Sequence, residues 1–267
     1  MEKFNKLMKA REGFCLYNKN DKYVGRSIEK YGEFSQLEIE LFEQICKKGD
    51  TVIEVGANIG THTQFFSNCV GENGKVLAFE PQRIIFQTLC ANIALNSMTN
   101  VYTYQMALGS KESKLLIPPV NYSQIGNFGG ISLENVQKGE KVSQKRLDSF
   151  LDEIETLKLL KIDVEGMEEG VLKGSKKIIH KFKPILYIEN DRQEKSESLI
   201  KYIKFLGYEL YWHLPKLYNQ NNFNNNSENI FGNIVSVNML CIHKDVNISV
   251  EKMEKIEDNK FHPMRKK

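Results

Sequence analysis

The sequence contains no long apolar segment. No uninterrupted apolar run approaches the roughly 18 residues that a membrane-spanning helix needs. Residues 1–10 carry charges every few positions and contain no apolar stretch of the kind that a secretion signal has. We therefore expect a cytoplasmic protein without a membrane partner.

Closely spaced cysteine pairs are also missing. The five cysteines form no Cys-x-x-Cys motif and are far apart in sequence: Cys15, Cys46, Cys69, Cys90 and Cys241. An odd count at wide spacing, without a secretion signal, indicates free thiols in a reducing compartment. We expect these residues to be ordinary core or surface side chains.

Neither sign of charge dominates the sequence. Lys and Arg number 37 and Asp and Glu number 34, so the net charge is +3. That balance gives no argument for a nucleic-acid or membrane partner. Hydrophobic residues make up 41% and charged residues 27% of the 267 residues, which is the usual composition of a globular chain.

From residue 51 onward, short apolar runs alternate with segments whose apolar residues recur with the period of a helix. We predict strands at 51–55, 75–79, 101–105, 158–162, 184–188, 208–212 and 237–243. We predict helices at 61–69, 84–96, 167–180 and 194–206. This alternation predicts an α/β fold with a doubly wound, mostly parallel sheet.

An extension is expected before this domain. Residues 13–17 and 23–27 flank a polar turn and predict a β-hairpin. Ser35, followed three residues later by Glu38, has the pattern of a capping box at the start of a helix. We therefore divide the chain into a hairpin-helix extension (1–44), a main domain (45–247) and a charged tail (248–267) that frays.

Two stretches interrupt the alternation of the main domain. Residues 108–150 contain glycines and alternating segments, which predict a hairpin-like insertion. Residues 215–235 are rich in Asn and form either a lid or a disordered loop. We expect both stretches to form walls of a substrate site.

The loop after the first strand of the main domain has the composition of a nucleoside site. Gly56 and Gly60 allow the backbone to approach a ligand, and Glu80 ends the next strand, where a carboxylate suits a ribose diol. A dinucleotide loop has a closer glycine pair, and Glu54 would repel a pyrophosphate but attract a sulfonium. S-adenosylmethionine therefore fits better than a nicotinamide dinucleotide. The alternative is that the glycines only form a tight turn.

Several motifs resemble the FkbM family of S-adenosylmethionine-dependent methyltransferases. They are Glu54-Val-Gly-Ala-Asn-Ile-Gly60, Phe79-Glu-Pro81, Leu147-Asp-Ser-Phe150, Leu160-Lys-Ile-Asp-Val-Glu-Gly-Met-Glu168 and Val171-Leu-Lys-Gly174. The resemblance covers about residues 30–245. It implies a seven-stranded class I methyltransferase sheet with one reversed strand, Rossmann-like in its winding. It also implies O-methylation, often of sugars or polyketide-type natural products.

The resemblance implies a cofactor site at these positions. Residues expected at the methionine end are Glu54, Gly56, Asn58 and Gly60. Glu80 is expected at the ribose, with Pro81, Gln82 and Ala107 near the adenine. Asp163 is expected to face both the sulfonium and the acceptor.

A hydroxyl acceptor needs a base, and four residues are candidates. Asp163 leads by position, with His62, Glu165 and His213 as alternatives. Asp163, Glu189 and Asn190 also resemble the Mg²⁺ site of catechol-type O-methyltransferases. We favour the alternative that Glu189 and Asn190 cap the sheet or bind substrate without a metal.

Other functions are less consistent with the sequence. Amino-group methyltransferases of nucleic acids usually carry an Asn/Asp-Pro-Pro-aromatic motif where this chain has Asp163-Val-Glu-Gly166. Acids at the predicted site oppose a phosphate backbone, so we expect a small-molecule acceptor and no nucleic-acid partner. One alternative that the sequence leaves open is a non-catalytic module with the same fold. The sequence also leaves the oligomeric state open, and a homo-oligomer is one option.

Overall fold

The structure is a computed structural model that describes residues 3–134 and 136–265. The outermost residues of the predicted extension 1–44 and tail 248–267 lie outside this range, as does one position of the insertion 108–150. Within the described residues, no helix is both long and apolar enough to cross a bilayer. The five cysteines are unpaired thiols.

The described residues form twelve strands, seven α-helices and one 3-10 helix. The strands are β1 (Asn5–Ala10), β2 (Gly13–Asn18), β3 (Thr51–Val55), β4 (Lys75–Phe79), β5 (Val101–Tyr104), β6 (Ala107–Leu108), β7 (Ser113–Ile117), β8 (Glu140–Lys145), β9 (Leu159–Ile162), β10 (Ile185–Glu189), β11 (Tyr208–His213) and β12 (Asn238–His243). The helices are α1 (Val24–Tyr31), α2 (Gln36–Ile45), α3 (Thr61–Val70), α4 (Arg83–Leu95), α5 (Glu168–Lys173), α6 (Lys176–Phe182) and α7 (Gln193–Phe205), and the 3-10 helix is Leu147–Glu153.

Seven strands form the central sheet in the order β11-β12-β10-β9-β3-β4-β5. Strand β12 runs antiparallel to both of its neighbours, whereas β10, β9, β3, β4 and β5 pair in parallel. The predicted class I methyltransferase fold, with one reversed strand, is confirmed. In this topology the carboxyl ends of the parallel strands meet at one edge, where ligands bind in open α/β sheets.

The register aligns the four strand ends that matter for the site. Val55 pairs with Phe79 on one side and with Ile162 on the other, and Ile162 pairs with Ile188. The residues that follow, Gly56, Glu80, Asp163 and Glu189, therefore emerge side by side. Strand β3 is buried along its whole length, so this arrangement has a rigid base.

Apolar side chains cover both faces of the sheet. One core cluster contains Ile53, Leu160 and Leu186 with residues of α5, α6 and α7. The other contains Val52 and Leu159 with residues of α2 and α3. Alternate residues of a strand point to opposite faces, so buried strands of this kind are apolar at nearly every position.

The predicted hairpin of 13–17 and 23–27 is wrong in its second strand. Strand β2 pairs with β1, which precedes it, while residues 24–31 form helix α1. Asp21 Oδ1 accepts hydrogen bonds from the N–H groups of Tyr23 (2.9 Å) and Gly25 (3.2 Å). A carboxylate that accepts the free N–H groups at the start of a helix stabilises that end of the helix. The polar turn therefore leads from β2 into α1 and does not join two strands.

The predicted capping box is also wrong, although the helix itself is confirmed as α2. Ser35 has a φ of 50° and makes no side-chain cap. The side chain of Glu38 is buried and receives a 3.4 Å hydrogen bond from Asn238. Glu38 therefore faces the sheet edge rather than the end of its own helix.

The single helix predicted at 167–180 is two helices, α5 and α6. A Cβ at Gly174 would lie 2.0 Å from the carbonyl oxygen of Gly109, so the insertion passes against the break at this glycine. Ser175 begins the next helix, and its hydroxyl donates back to the carbonyl of Val171 at 2.6 Å.

The insertion 108–150 contains an antiparallel pair, β7 with β8, as a hairpin-like element would. Strand β6 adds to β8 in parallel and makes a three-stranded sheet. The connection between β7 and β8 runs back to the N-terminal segment, where Gly126 N–H donates to the carbonyl of Asn20 at 3.0 Å.

The Asn-rich segment 215–235 is ordered by contacts with the N-terminal extension. Asn219 Nδ2 donates to Glu33 Oε1 at 2.9 Å, and Tyr31 Oη donates to the carbonyl of Glu228 at 2.8 Å. This segment therefore shares hydrogen bonds with the loop between α1 and α2.

The prediction that the tail frays is wrong. Trp212 N–H donates to the carbonyl of Glu254, and Ile256 N–H donates to that of Leu210, so the tail lies along the outer edge of β11. His262 is buried, and its Nε2 lies 2.8 Å from the carbonyl oxygen of Asn190. Ile256 is buried in the structure. In the sequence it is an apolar residue among charged neighbours, and this is the feature that could have indicated the packing.

Asn92 joins the extension to the main domain, which gives a test of the fold. Its Oδ1 accepts from Leu16 N–H at 2.6 Å, and its Nδ2 donates to the carbonyls of Leu16 (3.0 Å) and Ile59 (2.8 Å). Because Asn92→Ala leaves these buried groups unpaired, it should lower the free energy of unfolding by about 2–4 kcal/mol. Denaturant unfolding measures this, with the exposed Leu95→Ala on the same helix as the control, expected within about 0.5 kcal/mol of wild type. Equal stability of the two variants would contradict the assignment.

Candidate active site

The loop after β3 has the backbone geometry that its glycines predict. Gly56 has a φ of 87°, and a Cβ there would lie 1.8 Å from the carbonyl oxygen of Asp163. Gly60 has a φ of 89° and begins α3. Asn58 also has a left-handed φ of 51°, and its side-chain oxygen accepts the N–H of Ile59 at 2.8 Å. The loop is therefore tightly folded, and Gly56 has no room for a side chain.

Glu80 lies beside this loop, as predicted. Its Oε2 accepts the N–H of Asn58 at 3.0 Å and its Oε1 accepts the N–H of Gln82 at 2.8 Å. Burial raises the pKa of Glu80 to about 7, although these two N–H groups favour the ionised form. Each carboxylate oxygen can accept a second hydrogen bond, so the pair can hold a ligand diol.

A cavity next to Glu80 contains most of the predicted cofactor residues; we call it the cofactor cavity. Gly56, Glu80, Pro81, Gln82, Ala107 and Asp163 line it. Apolar side chains from the insertion and neighbouring loops complete the wall, including Met106, Ile131 and Leu133. An apolar slot beside a carboxylate fits an adenine and a ribose, so these residues fit S-adenosylmethionine.

Glu54, which is predicted at the methionine end, lies below the loop. Thr63 Oγ1 donates to its Oε2 at 2.6 Å, and its Oε1 lies 3.9 Å from Lys161 Nζ. Burial raises the pKa of Glu54 to about 7, while Lys161 and Thr63 act in the opposite direction. Because alternate residues of a strand face opposite sides of the sheet, Glu54 points towards α3. There it accepts the hydrogen bond from Thr63, in the first turn of that helix.

Lys161 is a site residue that sequence reasoning missed. It is almost completely buried in β9 and pairs in register with Glu54. Its Nζ donates to Asp163 Oδ2 at 3.0 Å. Burial alone would lower the pKa of Lys161, but Asp163, Glu54 and Glu38 outweigh it and the pKa is raised. A lysine inside an otherwise apolar parallel strand was the signal in the sequence.

A second cavity of about 180 Å³ adjoins the cofactor cavity. The two share Gly56, Glu80, Gly129, Asp163 and Glu165. The predicted walls do contribute, since Asn127, Gly129 and Gly130 of the insertion and Leu217 of the Asn-rich segment line it. A ligand in the cofactor cavity therefore faces a separate polar chamber across Asp163.

His62 lines the second cavity and has a free ring nitrogen. Its Nε2 is buried without a hydrogen-bond partner, and its Nδ1 lies 3.9 Å from Glu54 Oε1. The ring packs edge-on against Phe42 at a centroid distance of 5.6 Å. Burial, with help from Lys161, lowers the pKa of His62 well below 6.5, so the imidazole is neutral at pH 7.

Three carboxyl groups meet on the other side of the second cavity. Carboxylate oxygens of Asp163, Glu165 and Glu189 all lie within 4.8 Å of one another. Arg192 Nη2 donates to Glu165, and Glu189 Oε2 is buried without a partner. Burial, and then Asp163, raises the pKa values of both Glu165 and Glu189. A proton or a cation would relieve the repulsion among these groups.

Asn190, the third member of the possible metal set, has an amide that is engaged elsewhere. Asn190 Nδ2 donates to Ser196 Oγ at 2.9 Å and to Met239 Sδ at 3.3 Å, so its side chain faces α7 and β12. Glu165 takes the place expected for Asn190. His213 also lies apart from the site, because its Nδ1 is 2.8 Å from the hydroxyl of Tyr187 and it lines a different groove.

The sequence has relatives among curated fungal proteins. It is 29% identical to "Methyltransferase 1" of Beauveria bassiana, covering 46% of this chain and 57% of that protein. It is 31% identical to "Methyltransferase sdnD" of Sordaria araneosa, covering 46% of this chain and 59% of that protein. The matched part thus spans less than two thirds of either relative.

Among solved structures, similar ones include methyltransferase FkbM from Methylobacillus flagellatus KT, with a TM-score of 0.48 and 14% identity over 76% of this chain and 50% of that one. Another is Aeropyrum pernix fibrillarin with natively bound S-adenosyl-L-methionine, with a TM-score of 0.46 and 12% identity over 90% of this chain and 94% of that one.

Residues 54–210, more than half of the sequence, match the Methyltransferase FkbM domain. The protein belongs to the FkbM methyltransferase family.

Proposed function

We propose that the protein is an S-adenosylmethionine-dependent O-methyltransferase that acts on a hydroxyl of a sugar or small natural product. One observation carries the proposal: His62, whose imidazole is kept neutral by burial, lines the chamber that adjoins the cofactor cavity. A hydroxyl must lose its proton as it attacks a methyl group, and a neutral imidazole is suited to remove it.

Different residues of the site serve cofactor binding, acceptor orientation and proton removal. The bound cofactor supplies an electrophilic methyl group. Glu80 and the backbone of the 56–60 loop hold the nucleoside and fix where the methyl group lies. Asp163, held by Lys161, sits between the two cavities and orients the acceptor hydroxyl. Alignment of this kind is the main requirement of a displacement with a good leaving group.

His62 supports the proposal better than the other two candidate bases. Asp163 Oδ2 already accepts a hydrogen bond from Lys161. Glu165 is paired with Arg192. His62 Nε2 has no such partner, and the ring is held in place by the surrounding aromatic side chains. The acidic lining also disfavours a phosphate backbone, so we keep a small-molecule acceptor and set aside nucleic acid.

A second candidate function is metal-assisted methyl transfer. It is favoured by the carboxyl groups of Asp163, Glu165 and Glu189, which could together hold a hard cation such as Mg²⁺. Such a cation would lower the pKa of an acceptor hydroxyl. Against it, Glu165 already has a cationic partner in Arg192. We therefore rank the metal-independent reaction first.

Glu80 provides the test of cofactor binding. Glu80→Ala removes the carboxylate that holds both the loop and the ribose, so it should weaken S-adenosylhomocysteine binding by about tenfold or more. Isothermal titration calorimetry measures the dissociation constant. Glu140→Ala, which removes an exposed carboxylate paired with Arg83, serves as the control. An unchanged affinity in Glu80→Ala would remove the ribose assignment.

His62→Gln tests the proposed base. Loss of the imidazole should reduce methyl transfer by about 10²–10⁴-fold, the usual contribution of a general base. The measurement is transfer of a radiolabelled methyl group to a panel of sugars and phenols, with calorimetry to check that cofactor affinity stays within about twofold. His180→Gln, at an exposed position on α6, is the matched control. Wild-type transfer by His62→Gln would show that another group takes the proton.

Chelation separates the two candidate functions. The first predicts the same rate of methyl transfer with and without excess EDTA, because no step depends on a divalent cation. The second predicts loss of activity in EDTA and recovery on adding Mg²⁺. The second outcome would replace our preferred mechanism.

A further inference from the structure

The second cavity has a wall that comes from outside the matched family domain. Tyr23, Val24, Phe34, Ser35 and Glu38 line it, and all of them precede residue 54, where the match begins. Ser236 and Asn238, which lie after residue 210, line it as well. This wall is therefore specific to the flanking segments, where differences in acceptor choice would arise.

This wall is held rigidly by Glu33, in the loop between α1 and α2. Its Oε2 accepts from Arg11 Nε at 2.8 Å and from Phe223 N–H at 2.9 Å, and its Oε1 accepts from Asn219 Nδ2 at 2.9 Å. The carbonyl of Glu33 accepts from Ser27 Oγ at 2.7 Å. Through its carboxylate and its carbonyl group, Glu33 thus joins the hairpin, α1 and the Asn-rich segment, so the cavity is formed before a ligand enters.

Glu38 is the acidic side chain of this wall. It is 4% exposed, and its carboxyl group contacts Asn238 Nδ2, at 3.4 Å, and the hydroxyl groups of Ser236 and Tyr187. Burial raises the pKa of Glu38 to about 7, whereas Lys161 nearby favours the ionised form and gives its hydrogen bond to Asp163. Glu38 therefore lines the cavity with a carboxyl group that can accept a further hydrogen bond.

The other acidic side chains of the cavity add to this wall. Glu80, Asp163, Glu165 and Glu189 also line it, together with amide and hydroxyl groups of Asn58, Asn127, Ser35 and Ser236. An anionic group placed among these carboxylates would be repelled, whereas hydroxyl and ammonium groups could donate hydrogen bonds to them. The cavity, of about 180 Å³, is the space next to the cofactor cavity that is offered to the reacting ring.

We propose that Glu38 is a specificity-determining residue that accepts a hydrogen bond from the acceptor, and that the reacting ring of the acceptor is a neutral or cationic polyol without phosphate or carboxylate groups. This inference rests on the proposed methyl transfer to a hydroxyl. It adds the charge class of the acceptor and assigns its recognition to a helix that precedes the family domain.

Four sugars of similar size and different charge test the charge class. D-Glucosamine, D-glucose, D-glucuronate and D-glucose 6-phosphate would each be titrated calorimetrically into the full chain saturated with S-adenosylhomocysteine. We expect D-glucosamine and D-glucose to bind at least about tenfold more tightly than the two anions. Equal or tighter binding of an anion would overturn the inference, as would the absence of binding by all four at millimolar concentration.

Glu38→Gln tests the residue itself. This change keeps the size of the side chain and removes its charge, so the preference for D-glucosamine over D-glucose should fall by about tenfold while S-adenosylhomocysteine affinity stays within about twofold. Glu38→Asp, which keeps the charge, should retain the preference if the fold is intact. Glu40→Gln, exposed on the same helix, is the matched control. An unchanged preference in Glu38→Gln would overturn the assignment.

The failure of this inference and that of the proposed function give different results. Methyl transfer to an anionic sugar would support the proposed function and remove the charge class. Binding with the expected charge preference, but without methyl transfer to any hydroxyl, would keep the role of Glu38 and remove O-methylation.

Discussion

The buried ammonium of Lys161 is the interaction on which the site depends. It lies between Asp163, to which it donates a 3.0 Å hydrogen bond, and Glu54, 3.9 Å away. A buried cation is costly unless it is paired, and buried carboxylates are costly for the same reason. Lys161 thus makes it possible for acids from β3, α2 and the end of β9 to lie close together inside the domain.

The charge of Lys161 also explains the state of the groups around it. It favours the ionised forms of Glu54 and Glu38, whose pKa values burial raises to about 7, and it disfavours protonation of His62. The same cation therefore maintains negative charge near a cationic cofactor and keeps the candidate base neutral. Acidic groups with raised pKa values and a histidine with a lowered pKa, all in one cleft, are characteristic of functional sites.

The central sheet could be predicted from the sequence because its signals are local. Buried parallel strands are short apolar runs, and the loop at 56–60 and the carboxylate of Glu80 occupy positions set by the topology of the fold. The residues predicted for the cofactor accordingly lie together at these strand ends. Ala107, Pro81 and Gln82 line the cofactor cavity as the resemblance implied.

The parts that sequence reasoning missed depend on contacts between distant segments. Glu38 has the spacing of a capping residue, yet tertiary packing against Asn238 decides its orientation. Glu33 and the Asn-rich segment are joined across nearly two hundred residues, which no local pattern reveals. The contacts of Asn190 with Ser196 and Met239 are of the same kind, because they join β10 to α7 and β12.

The central claim is that the two adjoining cavities hold the cofactor and the acceptor on either side of Asp163. An experimental structure of the protein with S-adenosylhomocysteine tests it most directly. The account predicts ribose hydroxyls within hydrogen-bond distance of Glu80 and a sulfur atom that faces the chamber lined by His62 and Glu38. A ribose away from Glu80, or a sulfur atom directed away from that chamber, would contradict it.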